Sequence, residues 1–399
     1  MGYAVRMQTT GAKGSERPRT PTRFTNAAIA RHRYGAMADR LGRFLLEGDP
    51  LGDALARDIL AGAPREPFET ALAKGIDAVP NPSPALRAFF EAVDRVPDWV
   101  DPRKLRLGAR TYQRTGQSMM FVLSAWSLMN GYHSSAAVKP LMATGQLDAA
   151  APRRLAETGR FLVEVCQTNG LERFAPGFQT AVRVRLMHAI VRQLLLRKGN
   201  WRTDDWGLPI NQADMVGTVI EFSLLLLEGC RVMGFHFEPR ESEAVVHLWR
   251  YVGHLSGVDP ELLEELSTEA RGVRFAELVK LVQPGPDQDS IDLAAALRVV
   301  PRRLASSPVE RLLAPFTIRY HDGLTRVFNG DRVADALRIP NPRWKLMIHP
   351  TRAFIGTMER FRRGLPYGTR AVAWLGNRMV RQAIARMLGG VEPTFQPAG

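Results

Sequence analysis

The chain has 399 residues, with 54 Lys and Arg against 40 Asp and Glu and a formal charge of +14. Apolar residues make up 45%, a normal globular share, so a sizeable core can form and a largely disordered chain is excluded. Two cysteines, Cys166 and Cys230, exclude a disulfide scaffold and a four-cysteine zinc site.

Residues 1–25 are rich in Gly, Ser, Thr, Pro and Arg with almost no apolar periodicity, and read as a disordered basic arm. From about residue 28, Ile29, Tyr34, Met37, Leu41 and Leu45 recur at helical spacing and predict one helix with a buried face. Pro-rich breaks follow at Pro64–Pro67 and Val79–Pro84, then a helix over 85–95. A long helix is expected over 105–130, ended by the turn chemistry of Asn130 and Gly131, and a shorter one over 134–144. Asp148 and Pro152 point to a helix from about 151 to Gln167, closed by Asn169 and Gly170. Helices then fit 178–198, 211–233, 240–256 and 261–269, with weaker ones at 288–299, 306–330, 353–363 and 369–388. Period-2 runs are scarce, so the expectation is an all-α fold. It divides into the arm, a helical domain over 26–340 and a basic extension over 341–399.

The charge is not spread evenly. Residues 1–44 carry net +7 and residues 341–399 net +8, so the body between them sums to −1. Basic ends favour an anionic surface: a bilayer face, nucleic acid or an acidic partner. Segment 341–390 mixes basic and apolar residues with Trp344 and Trp374, a pattern that suits peripheral membrane contact as well as a solvated helix face. The longest apolar stretch, Val219 to Leu227, is interrupted by Glu221 and is far shorter than the roughly 20 residues of a membrane span. Without an export signal in the sequence, a cytoplasmic location is expected.

Several chemistries are missing. No two of the eight histidines are three or four residues apart and none follows Glu by three, which excludes HExxH zinc sites and ferritin-like di-iron pairs. There is no P-loop, Gly-rich dinucleotide fingerprint or GxSxG elbow. An all-α chain of this kind borrows its chemistry from a cofactor, if it has any.

One constellation stands out. His188 lies among Val184, Leu186, Ile190, Val191 and Leu194 on a mostly buried helix, with Arg185 three residues before it and Arg192 four after, all on one face. Buried guanidinium groups need anionic partners. Two arrangements satisfy all three residues: a core histidine with internal salt bridges, or a haem ligated by His188 with the arginines paired to propionates or nearby carboxylates. In the second, the Nδ1 proton needs an acceptor. On the preceding helix Arg154 and Thr158 share a face with Glu157 beside them, a set that serves ligand binding or plain salt-bridge and surface roles. The string Pro209, Ile210, Asn211, Gln212, Ala213, Asp214 is a turn into a helix, with Asn211 as N-cap and Asp214 in the first turn.

Together these stretches resemble the latex clearing protein (rubber oxygenase) family, which includes the oxygenase of fungal mycophenolic acid biosynthesis. The resemblance rests on Arg154, Glu157 and Thr158, on Val184 to Ala189 with Arg192, on the turn at 209–214, and on His247, Trp249, Arg250, Tyr251 and Gly253. It covers about 105–260. It implies a globin-like all-α core holding one b-type haem with His188 as the iron ligand. It also implies Arg154 and Thr158 close to the haem, Arg185 and Arg192 supporting the site, and dioxygen bound opposite His188. The latex enzymes carry a lysine beside the motif threonine, where this chain has Glu157, so a small or membrane-dissolved unsaturated lipid or isoprenoid is expected rather than solid rubber. Two other readings compete: a haem carrier, sensor or peroxidase-like protein without oxygenase turnover, and a cofactor-free basic adaptor at a membrane. No recognised motif supports a nucleic-acid partner.

Overall fold

The computed structural model describes residues 20–143 and 147–388, and side chains within those ranges except for 147–154. Among the described residues the chain is helical throughout, with no strand. The helices run α1 Ala27–Tyr34, α2 Ala36–Phe44, α3 Pro50–Leu60, α4 Glu66–Lys74, α5 Pro84–Asp94 and α6 Pro102–Gln113. Then come α7 Gln117–Val122, α8 Leu128–Tyr132, α9 Lys139–Ala143, α10 Leu147–Val165, α11 Pro176–Arg197 and α12 Thr203–Trp206. They continue as α13 Gln212–Ile220, α14 Leu226–Val232, α15 Pro239–Leu255, α16 Pro260–Glu264, α17 Glu269–Leu281 and α18 Gln288–Arg298. The last are α19 Val300–Leu304, α20 Pro308–Ala336, α21 Ile348–Gly364 and α22 Gly368–Leu388.

The prolines explain many of the starts. Pro50, Pro84, Pro102, Pro176, Pro239, Pro260 and Pro308 open their helices, where the missing N–H has no partner to lose. Ser83, Asp101 and Asp259 add side-chain caps just before three of them. The Pro-rich stretches read as breaks are therefore helix entrances, and the sequence reading has no helix at α3, α4 or α17. The single helix expected over 28–45 is two, because Gly35 takes φ 56° between them. The long helix expected over 105–130 is likewise broken at Gly116, whose φ is 55°.

Two helical runs widen by one turn of π-helix, Leu123–Ser127 between α7 and α8 and Glu221–Leu225 between α13 and α14. These turns pack against each other. A π turn loosens carbonyls from their usual partners, and hydroxyls and amides repair the loss. Ser127 Oγ donates across to Glu221 O at 2.7 Å, Asn329 Nδ2 donates to Ala125 O at 2.9 Å, and Ser223 Oγ donates back to Val219 O at 2.6 Å.

Helix α11 is central and packs on α3, α10 and α15, while α15 also packs closely on α6. One apolar core runs from Phe24 to Ile384, and a smaller one joins Met129, Ala294, Leu297, Val300 and Leu337. The packed body begins before residue 26. Arg23 is buried, pairs with Asp214 at 2.6 Å, and the neighbouring backbone bonds to 204–205, so the arm expected to reach residue 25 is already ordered there. Residues 1–19 of that arm and 389–399 of the extension lie outside the described residues. At the other end α22 packs on α6 and α10, and Gln167 Nε2 donates to Asn377 at 3.0 Å.

Candidate functional site

Helix α11 carries Arg185, His188 and Arg192 on one face, and the structure supplies each arginine with a carboxylate. Arg185 grips Asp49 through two bonds of 2.6 and 2.8 Å and lies over the Phe89 ring at 4.9 Å. Arg192 donates to Asp53 at 2.6 Å, to the Pro209 carbonyl at 3.0 Å and to the Ile210 carbonyl at 2.6 Å. Bidentate and multidentate contacts of this kind are what the planar guanidinium does best. Of the two kinds of anion expected for the arginines, the structure shows the nearby carboxylates.

The turn at 209–214 is thereby tied to α11. Asn211 caps α13 by accepting from Asp214 N at 2.9 Å, as its position in the sequence predicts. Gln212 donates to Gly48 O at 2.8 Å and Gly257 O at 2.9 Å and accepts from Asp259 N at 2.8 Å. One polar seam therefore joins the loop before α3, the start of α13 and the end of α15 around the lower half of α11.

His188 sits deep in the protein, yet part of its surface is not covered by protein atoms. Burial, reinforced by the Arg192 charge and opposed by Asp49, holds its pKa down at about 4. The ring is therefore neutral at physiological pH and keeps a lone pair for a metal. Nδ1 is fully buried and has no hydrogen-bond partner, so the acceptor expected for that atom is not found among the described residues.

Helix α10 packs directly on α11 and carries the second set. Glu157 and Thr158 are half-buried. The backbone of Arg154 belongs to α10, and its side chain lies outside the described ones. No hydrogen bond ties Thr158 to the α11 triad among the described residues, so the two sets are neighbours through their helices.

Further along, His247 accepts from Asp101 N at 3.0 Å through Nε2, which fixes its neutral tautomer, and Trp249 is fully buried. Arg250 covers Trp99 at 4.0 Å and pairs with Glu264 at 2.7 Å. These residues of the recognised run hold helices together, and none of them touches α11's His188 through a hydrogen bond.

Two features escape the sequence reading. Asp49 and Asp53 sit more than 130 positions from the arginines they neutralise, and nothing local marks them. Glu221 is the other. It opens the second π turn, lies deep with a partly uncovered surface, and burial with the nearby Asp214 charge raises its carboxyl to about 8. Gly131 makes room for it: a Cβ there would stand 2.7 Å from Glu221 Oε1. The helix expected to stop at Asn130 and Gly131 ends at Tyr132, and Gly131 lies within α8, where it permits a close approach instead of making the turn. A carboxylate inside an otherwise apolar run was the available signal.

A family model described as "ER-bound oxygenase mpaB/B'/Rubber oxygenase, catalytic domain" matches residues 110–360, which include α10, α11, the 209–214 turn and both π turns. The chain belongs to this family. A rubber oxygenase of Streptomyces sp. (strain K30) is 28% identical over 191 residues, a stretch equal to 47% of this chain and 46% of the relative. The chain thus spans about half the length of the curated relative it matches. The structure of a latex clearing protein in its closed state superposes with a TM-score of 0.65 at 22% identity, over 85% of this chain and 90% of that one. That likeness establishes the shared helical fold. Helix α22 lies beyond the matched range.

Proposed function

We propose that this chain is an oxygenase that uses a b-type haem, held by His188, to oxidise an unsaturated lipid-like or isoprenoid substrate. The observation that carries the reading is the state of His188: neutral, deep, partly uncovered and on a helix clamped at two points. Among the described residues no three His, Cys, Asp or Glu side chains gather into a metal cluster. A lone histidine suits a macrocycle that brings four donors of its own. The buried Nδ1 without a partner leaves the ring's orientation to the packing of α11 and to whatever Nε2 holds.

The names of the relatives, a rubber oxygenase and a latex clearing protein, describe proteins that act on an unsaturated isoprenoid polymer, and the substrate class is taken from them. Haem would supply the redox-active iron at which dioxygen is activated for attack on a carbon–carbon double bond. The rest falls to this chain. Arg185–Asp49 and Arg192–Asp53 fix the height and rotation of His188 without spending a free charge. Thr158 would donate a hydrogen bond and Glu157 would accept a proton during the reaction, and Arg154 belongs to the same proposed set. A lysine at position 157 would offer an amine there, and the carboxylate of Glu157 does not. A globin-like arrangement of the core and a membrane-dissolved substrate belong to the same proposal.

Absorption spectra of the purified protein, reduced with and without carbon monoxide, test it. A Soret band that shifts with carbon monoxide is expected, and His188→Ala is expected to lose it while the far-UV spectrum stays helical. Full haem retention in that variant would overturn the ligand assignment. Dioxygen uptake in the presence of a polyisoprenoid separates the oxygenase from a haem carrier or sensor, which shares the spectrum and consumes none.

A further inference from the structure

Helices α21 and α22 form a hairpin whose inner strip is anchored firmly. Glu359 and Arg362 pair with each other at 2.9 Å inside the protein, and Glu359 reaches Arg114 of the body at 3.8 Å. Gly368, Ala373, Gly376, Val380 and Ile384 are the buried positions of α22, and Ile384 packs against Gly159 of α10. Most of the hairpin outside that strip is open, and its composition is unusual.

On α21, Phe354, Met358 and Phe361 recur at spacings of four and three and are all exposed, the two phenylalanines at 66%. On α22, Trp374, Leu375 and Met379 are exposed, Trp374 at 62%. Tyr367 stands out between the helices at 76%. Large side chains this open, on consecutive helices, are a surface built for contact. The charge exposed on the same two helices has one sign. From 343 to 388 every exposed Asp, Glu, Lys or Arg is an arginine, and the one acid, Glu359, is buried.

We infer that the α21–α22 hairpin docks this protein on the surface of an anionic lipid bilayer. The apolar side chains enter the boundary between headgroups and acyl chains, and Arg360, Arg363, Arg378 and Arg381 meet the lipid phosphates. Charge complementarity decides the occupant. A second copy of the hairpin would set arginine against arginine with no acid to relieve it. A nucleic acid would match the charge and leave Phe354, Phe361, Leu375 and Met379 in water. No helix of the described residues is long and apolar enough to cross a membrane, so the contact is peripheral. Docking also places α10, against which α22 packs, one layer from the lipid. The inference rests on this surface alone and stands whether or not His188 holds haem.

Co-sedimentation of the full chain with vesicles of phosphatidylcholine alone, and with phosphatidylglycerol added, tests it at low and high salt. Binding to the anionic vesicles, weakened by salt, is expected. Arg360→Gln with Arg363→Gln should lower partitioning by about tenfold or more. Phe361→Ser with Leu375→Ser should lower it by a similar factor, roughly tenfold, at either salt. Both pairs of substitutions lie on the open surface, so circular dichroism should be unchanged. Failure to bind anionic vesicles, unaltered binding in both double variants, or a salt-resistant dimer in place of vesicle binding would each overturn the inference. So would displacement from the vesicles by an oligonucleotide that binds the Phe361→Ser, Leu375→Ser variant as tightly as the parent.

Discussion

Glu221 and His188 share a condition: each is an ionisable group kept neutral at physiological pH chiefly by burial. Their consequences for stability run in opposite directions. Unfolded, Glu221 gives up its proton near pH 4.5, and folded it keeps it to about 8. Between those values the folded chain binds the extra proton, so this residue makes stability fall as pH rises. Glu221→Gln keeps the size and removes the slope. Relative to the parent, the variant should gain on the order of 2 kcal/mol between pH 5 and pH 8, a figure discounted for partial exposure. Urea midpoints at the two pH values read it directly, and a parallel pair of curves would show that the carboxyl is not held neutral. Asp49 tests the opposite design, a buried charge that is matched. Asp49→Asn leaves Arg185 without its anion and should cost on the order of 3 kcal/mol, seen as a lower urea midpoint with an unchanged slope. Simple removal of a surface pair would cost far less, so the size of the loss separates the two.

At the level of elements, what the sequence reveals depends on how local the cause is. Helix α11, with its triad on one face, and the Asn211 cap are legible because their signals repeat every three or four residues or lie within one turn. Helix α4 is hidden by prolines that look like a stop and act as a start. The π turns are invisible: one extra residue in a turn changes no composition, and the groups that stabilise them, Ser127 and Asn329, come from other helices. Asp49 and Asp53 escape for the same reason, since only the fold brings α3 beside α11. The family resemblance singles out α10, α11 and the 209–214 turn, and the contacts that hold them become visible only in three dimensions. Helix α11 is thus positioned by residues from the loop before α3, from α3 itself and from the 209–214 turn, and the stability of the site is shared among segments far apart in the chain.

For the whole molecule, three histidines set the acid limit. His188, His247 and His321 are each held by burial at about pKa 4, against 6.5 in an unfolded chain. Between those values the unfolded chain binds more protons, so stability falls as pH falls through that window, and Glu221 offsets one of the three above pH 4.5. Burial also lowers His133 and His254, so denaturation followed from pH 7 to pH 4 should show uptake of at least about two protons on unfolding near pH 5.5, and His247→Gln should reduce it by about one. A flat profile would mean that these rings are protonated in the folded protein. The distribution of charge, +8 over residues 341–399 and +7 over residues 1–44 against −1 over the body from 45 to 340, also has a meaning before any contact is made. The arginine hairpin of a molecule so divided is a concentrated positive pole. Near a negatively charged plane the molecule experiences a torque as well as a pull, felt over roughly one screening length of about 8 Å at physiological ionic strength. It turns its arginine hairpin forward while still in solution, so the encounter is oriented before the first phenylalanine reaches the surface.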